Sequence, residues 1–157
     1  MRCEGYMLIT RDLREAKRFY TEVIGARIVL ELEKHVVFEE GFSLLQEDDW
    51  RDFAELEGNV FSYRHHTGQL VFEVEDLEAF LHRLAGMPSL QLLHPVKEHH
   101  WGRRAVRFYD PDGHVVEVGE SMELVVKRFL RQGMSLEKTA KKTEFPLWYV
   151  LKCKNEI

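Results

Sequence analysis

Met7-Leu-Ile-Thr-Arg-Asp12-Leu13 is an apolar run that ends in Asp-Leu, and Val71-Phe-Glu-Val-Glu-Asp76-Leu77 repeats the pattern 64 residues later. Two runs of strand length, each closed by a residue suited to starting a helix, predict a tandem repeat of one α/β unit. Asp12 and Asp76 can accept hydrogen bonds from the free amides of a helix start, and Glu15 follows Asp12 by three residues as in a capping box.

The stretch after Asp12 places Leu13, Ala16, Phe19, Tyr20 and Val23 on one helical face, with Gly25 positioned to end the helix. Leu77, Phe80, Leu81 and Leu84, followed by Gly86, repeat this arrangement. Further strands are expected at 26–32, 35–39 and 42–46, then at 90–96, 104–109 and 115–118, so each copy reads β-α-β-β-β. The drift of the offset to 72 sets Gly41 against Gly113 as matching hairpins. Asp110-Pro111-Asp112-Gly113 is the most strongly specified turn: Pro fixes φ, Asp bonds the local backbone, and Gly accepts positive φ.

The paired units, the Asp-Leu-x-x-Ala-x-x-Phe-Tyr run ending at Tyr20, and the segment from Trp101-Gly102 to Asp110-Pro-Asp-Gly-His-Val-Val-Glu117 resemble the vicinal oxygen chelate superfamily. That family contains glyoxalase I, bleomycin-resistance proteins, fosfomycin-resistance enzymes and extradiol dioxygenases. The resemblance spans roughly residues 4–120 and implies an α+β fold. Its paired βαβββ modules would form a cupped eight-stranded sheet around a small-molecule site. The expected organisation is a glyoxalase-like domain over 1–120, with modules at 4–58 and 66–120, and a helical extension over 121–157.

The resemblance also implies four positions for a divalent metal, one on the first and one on the last strand of each module. Here they read Gly5, Leu45, Gln69 and Glu117, or Gln46 for Leu45 if the alignment slides by one residue. Glu117 is a good hard-metal ligand, Gln69 a weak neutral donor, and the others offer no charge. A catalytic metal generally needs about three protein ligands, so no cofactor is expected. Glu117 then either lines the cup without metal or acts as a catalytic base.

Side chains alternate along a strand, so Gln69, Val71 and Glu73 should share the cup face with Val115, Glu117 and Gly119. Arg107 and Tyr109 join them, while Val106, Phe108, Val116 and Val118 face the helices. Gln69, Glu73, Trp101, Arg107 and Tyr109 are therefore the candidate ligand-binding residues. Glu73 and Arg107 are alternatively a cross-strand ion pair. Trp101 is either a lid at the cup mouth or the anchor of its loop, and Arg103 or Arg104 is placed to hold a carboxylate. His65-His66 and His99-His100 are adjacent pairs, which chelate poorly on a strand and suit loops and hinges.

At 157 residues, 45% hydrophobic and 31% charged, the chain can bury a sizeable core. No apolar run approaches a membrane span, no signal peptide is evident, and Cys3 and Cys153 lack metal-like spacing, so a cytoplasmic protein with reduced thiols is expected. Residues 1–120 carry 14 basic and 23 acidic side chains (net −9), and 121–157 carry 8 and 4 (net +4). Ser121, Ser135 and Pro146 predict three short helices in this tail. Ser135 to Tyr149 resembles a helix-turn-helix, with Ala140 at the small position but Glu144 where that motif prefers Gly. Trp148 and Tyr149 stand where base-reading side chains are needed, so nucleic acid is not an expected partner. The tail's apolar residues are expected to dock on the modules or on a second copy, giving a homodimer.

Three functions follow: a metal-independent protein that binds or transforms a small polar organic molecule; a divalent-metal lyase or isomerase of glyoxalase I type; and a regulatory module in which ligand controls the basic tail.

Overall fold

A computed structural model of the chain describes residues 1–3, 5–58 and 61–157. The expected start of the first module at residue 4 lies outside the described residues. The elements run β1 (Tyr6–Thr10), α1 (Leu13–Phe19) with a π-helical turn (Tyr20–Ile24), β2 (Ile28–Glu31), β3 (His35–Phe38), β4 (Phe42–Gln46) and α2 (Glu47–Phe53). They continue as β5 (Gln69–Val74), α3 (Leu77–Ala85), β6 (Leu92–Glu98), β7 (Arg104–Tyr109), β8 (Val115–Glu120), α4 (Met122–Arg131), α5 (Leu136–Thr143) and α6 (Leu147–Asn155). Two four-stranded mixed sheets result, ordered β1-β4-β3-β2 and β5-β8-β7-β6, with β1 parallel to β4 and β5 parallel to β8.

The chain forms two compact units, residues 1–68 with 109–114, and residues 69–108 with 115–157. In the first, Asp12 caps α1 by accepting from the amides of Arg14 and Glu15, and Gly25 ends the helical stretch at φ +85°. The buried Tyr20 ring packs on Phe42 at 5.0 Å and Phe38 at 6.0 Å. Its hydroxyl donates to Asp110 Oδ2 at 2.9 Å. Asp110 also accepts from the amides of Asp112 and His114, and Gly113 takes φ +92°, so the expected turn is built by its own carboxylate. Helix α2 was not evident from periodicity; Glu47, Asp48 and Asp49 in its first turn suit the positive end of the helix dipole.

In the second unit Asp76 caps α3 through the Ala79 amide. The α3 face of Leu77, Phe80 and Leu84 is buried, and Phe80 stacks on Phe108 of β7. Val106, Val116 and Val118 are likewise buried, whereas Gln69, Val71 and Glu73 alternate outward along β5.

The tail departs in part from the expectation that its apolar residues dock on the modules or on a second copy. Its helices make a small core of their own, with Val126, Val150 and Cys153 buried and Leu130, Leu136, Ala140 and Tyr149 packed against them. Three short amphipathic helices can share one centre, which leaves Leu147 and Trp148 outside it, exposed. Glu144 caps α5 at φ +63°, the left-handed conformation in which the helix-turn-helix pattern favours Gly. Val125 and Phe129 turn the other way, toward Gly102, where a Cβ would strike the Phe129 ring.

Candidate functional site

Strand β8 lies between β5 and β7, and all six of its residues are buried. Glu117 sits at its middle, only 2% accessible. A buried carboxylate needs partners of opposite charge and filled lone pairs. Glu117 has both: it is ion-paired with Arg103 and with Arg107, and Gln69 Nε2 donates to its Oε2 at 3.2 Å. Arg107 is fixed further by donating from Nε to Gln69 Oε1 at 3.1 Å and by a contact of Nη1 with His94 Nε2 at 3.0 Å. Arg103 donates from Nε to the Glu120 carbonyl at 2.8 Å.

Local geometry explains the convergence. Arg103 and Arg107 are four residues apart, so on extended backbone they project to one side. Gly119, two residues beyond Glu117, makes room: a Cβ there would lie 2.9 Å from Ala105 Cβ and 2.9 Å from the Arg103 guanidinium carbon. Glycine within a strand marks such close approaches. A second cluster adjoins the first. Glu120 accepts from Arg104 Nη2 at 2.7 Å and from Arg128 Nη1 of α4 at 2.7 Å, and Arg128 Nη2 donates to the Gly102 carbonyl. Burial opposes ionisation of Glu120, but hydrogen bonds from Arg104 and the charges of Arg128 and Arg104 outweigh it and hold its pKa below the usual carboxylate value.

His99 stacks on Trp101, with ring centroids 4.5 Å apart and planes 4° from parallel, and His100 meets the same indole edge-on. The buried His99 Nε2 has no hydrogen-bond partner among the described residues. Its pKa is lowered, by burial first and then by the positive charge of Arg107.

The expected residues thus divide. Gln69, Arg107 and Glu117 are brought into one cluster. Glu73 stays exposed at the far end of β5, where its charge acts on Tyr149 of α6, and the alternative Glu73–Arg107 pair is replaced by Glu117–Arg107. Trp101 is flanked by two histidines of its own loop. Tyr109 belongs to the first unit, where its hydroxyl contacts His66 Nε2 at 2.7 Å and Arg64 lies over its ring. Arg103 and Arg104, expected to hold a ligand carboxylate, hold Glu117 and Glu120 instead. Gly119 lies on the expected face, whereas His94 and the role of His99 in the arrangement are not foreshadowed by strand parity. Strand parity with Arg107 could have paired Arg103 with Glu117, but nothing local pointed to His94.

The family's metal positions do not fit a metal here. Gly5 has no side chain, Leu45 is buried and apolar, and the Gln46 amide is spent on the Arg11 carbonyl and the Leu13 amide. Glu117 is neutralised by two arginines. Among the described residues no three His, Cys, Asp or Glu side chains gather as a metal site.

Residues 3–123 match the model of the glyoxalase-like domain. A protein of unknown function from Agrobacterium tumefaciens str. C58 is 33% identical, with 77% of this chain and 94% of that one covered and a TM-score of 0.71. A lactoylglutathione lyase from Agrobacterium tumefaciens is 26% identical, covering 74% and 92%, at TM-score 0.57. The fosfomycin resistance protein FosX from Mesorhizobium loti shares the fold at 22% identity, 74% and 89% coverage and TM-score 0.52. No curated protein matches.

Proposed function

We propose that this chain, which belongs to the glyoxalase-like domain family of the vicinal oxygen chelate superfamily, binds a small organic anion on the outward face of its second sheet without a divalent metal. The observation that carries this reading is the charge count at Glu117: two guanidinium groups meet one carboxylate, leaving one positive charge in excess. Arg107 is the more accessible of the two arginines, at 21%. Its Nη1 and Nη2 carry N–H groups beyond those turned toward His94 and Glu117, so a ligand carboxylate can share it. Gln69 and Glu117 orient Arg107, while Trp101 holds the His99 loop.

Catalysis at Glu117 would require substrate to displace an arginine from it, which sets binding ahead of lyase or isomerase chemistry in this reading. One contact favours a regulatory second reading: Arg128 links α4 to Glu120 and to the Gly102 carbonyl, beside Arg103. We further place the protein in the cytoplasm, where free thiols such as Cys3 and Cys153 persist, as a homodimer. No helix of the described residues is long and apolar enough to cross a membrane.

The test is thermal unfolding against a panel of small carboxylates and their neutral amides, since a ligand of the native state raises stability. Carboxylates should raise Tm, their amides should not, and Arg107→Met should abolish the shift. Equal stabilisation by amides, or a carboxylate shift that survives Arg107→Met, overturns the reading.

A further inference from the structure

The three tail helices leave a groove of about 500 Å³ where the ends of α4 and α6 meet the start of α5, a size within the ~300–1,000 Å³ of small-molecule sites. We propose that this groove binds a medium-chain alkyl carboxylate, its chain on the apolar floor and its carboxylate between Arg131 and Lys154. The site shares no residue with the anion reading at Arg107.

The floor is rigid. Leu130 and Leu136 line the groove and also pack against the tail's buried core of Val126, Val150 and Cys153. Met134 adds a half-buried, unbranched thioether that can adapt to a flexible chain, and Ile157 extends the apolar surface. Among the described residues no aromatic side chain lines the groove, so a flat ring would find nothing to stack on. An aliphatic body is the better match.

The rim carries positive charge. Arg131 and Lys154 are exposed, join no ion pair among the described residues, and face no acidic side chain in the lining. Elsewhere on α4 the cations are already engaged: Lys127 pairs with Glu123 and Glu156, and Arg128 with Glu120. A planar guanidinium fork suits a carboxylate, and the ammonium supplies a second charge. The start of α5 points the same way. Ser135 lines the groove, and because its Oγ accepts from the Lys138 amide its hydroxyl hydrogen can be donated to an anion. The negative end of α4 would oppose an anion, but its Phe129 and Leu130 carbonyls are taken by the amides of Met134 and Gly133.

Calorimetric titration and amide NMR on the full chain test the groove, with circular dichroism reporting folding. Octanoate, kept below its micelle-forming concentration, is the probe; acetate keeps only its headgroup and octanol only its chain. Each buried methylene tightens binding by about two- to fourfold, so octanoate should exceed acetate by about thirtyfold or more. Octanol should bind about tenfold more weakly than octanoate, and so should octanoate to Arg131→Met/Lys154→Met, whose sites are exposed. Met134→Glu sets a like charge beside the ligand and should weaken binding with both cations in place. The NMR shifts should centre on residues 130–136 and 154–157 and persist in Arg107→Met. Octanol as tight as octanoate, or affinity that survives the double change, overturns the groove. Octanoate no tighter than acetate also overturns it and leaves the surface to a protein segment. Shifts that centre on Arg107 and vanish in Arg107→Met overturn the groove while supporting the reading at Arg107, so the two failures are distinguishable.

Discussion

Arg103 and Glu117 close on each other across fourteen residues of sequence, and both side chains are nearly removed from solvent, at 11% and 3% exposure. Removing one member of such a pair strands the other charge in a medium that solvates it poorly. Replacing both together avoids that penalty.

Glu117→Gln should therefore destabilise the chain by about 3 to 5 kcal/mol, the range for breaking a buried pair. Urea unfolding measures it. The double variant Arg103→Met/Glu117→Leu should cost less than the sum of its single changes, and strict additivity would mean that the two groups do not interact.

Gly119→Ala should lose roughly 1 to 3 kcal/mol, because the new methyl meets Ala105 and the Arg103 guanidinium at 2.9 Å and the neighbours are pinned. The loss is read from Tm and denaturant midpoint. Gly133→Ala makes a useful contrast: no atom lies within 4 Å of its added Cβ, so its cost would come from the positive φ alone.

Acid should weaken the fold partly through Glu120. Its pKa is lowered in the folded chain, so below the ordinary carboxylate range the unfolded chain takes up the proton more readily. The stabilisation is complete above ~4.3, the usual glutamate value, and is lost as pH falls through the lower folded value. Glu120→Gln should cost stability at pH 7, and the gap from wild type should narrow toward pH 3.

Elemental analysis of purified protein should find less than one divalent ion per chain, and chelator should leave Tm unchanged. One tightly held ion lost on Glu117→Ala would contradict the donor set described here.

Truncation after Glu120 should lower Tm, since it removes Phe129 from Gly102 and Arg128 from Glu120. A shortened chain that melts unchanged would mean that the helical tail stabilises only itself.

The repeat, its capping aspartates and the Asp110–Gly113 turn were legible in the sequence because each is a local matter: strand parity, a side chain reaching an amide two or three residues on, a glycine at positive φ. Parity also places Gln69, Arg107 and Glu117 on one face. Which acid neutralises which cation was not local. Arg103 looked equally ready for a ligand, and only the approach of β7 to β8, with the gap left by Gly119, gave it Glu117. The tail divides in the same way. Its caps were written in Ser121 and Ser135, but whether its apolar residues would face each other, the sheet or water depended on how three helices pack. Sequence by itself determined the elements and the faces of each strand, since backbone geometry repeats every two or 3.6 residues. Tertiary structure alone decided the partners, because burial and register bring together residues that no periodicity connects.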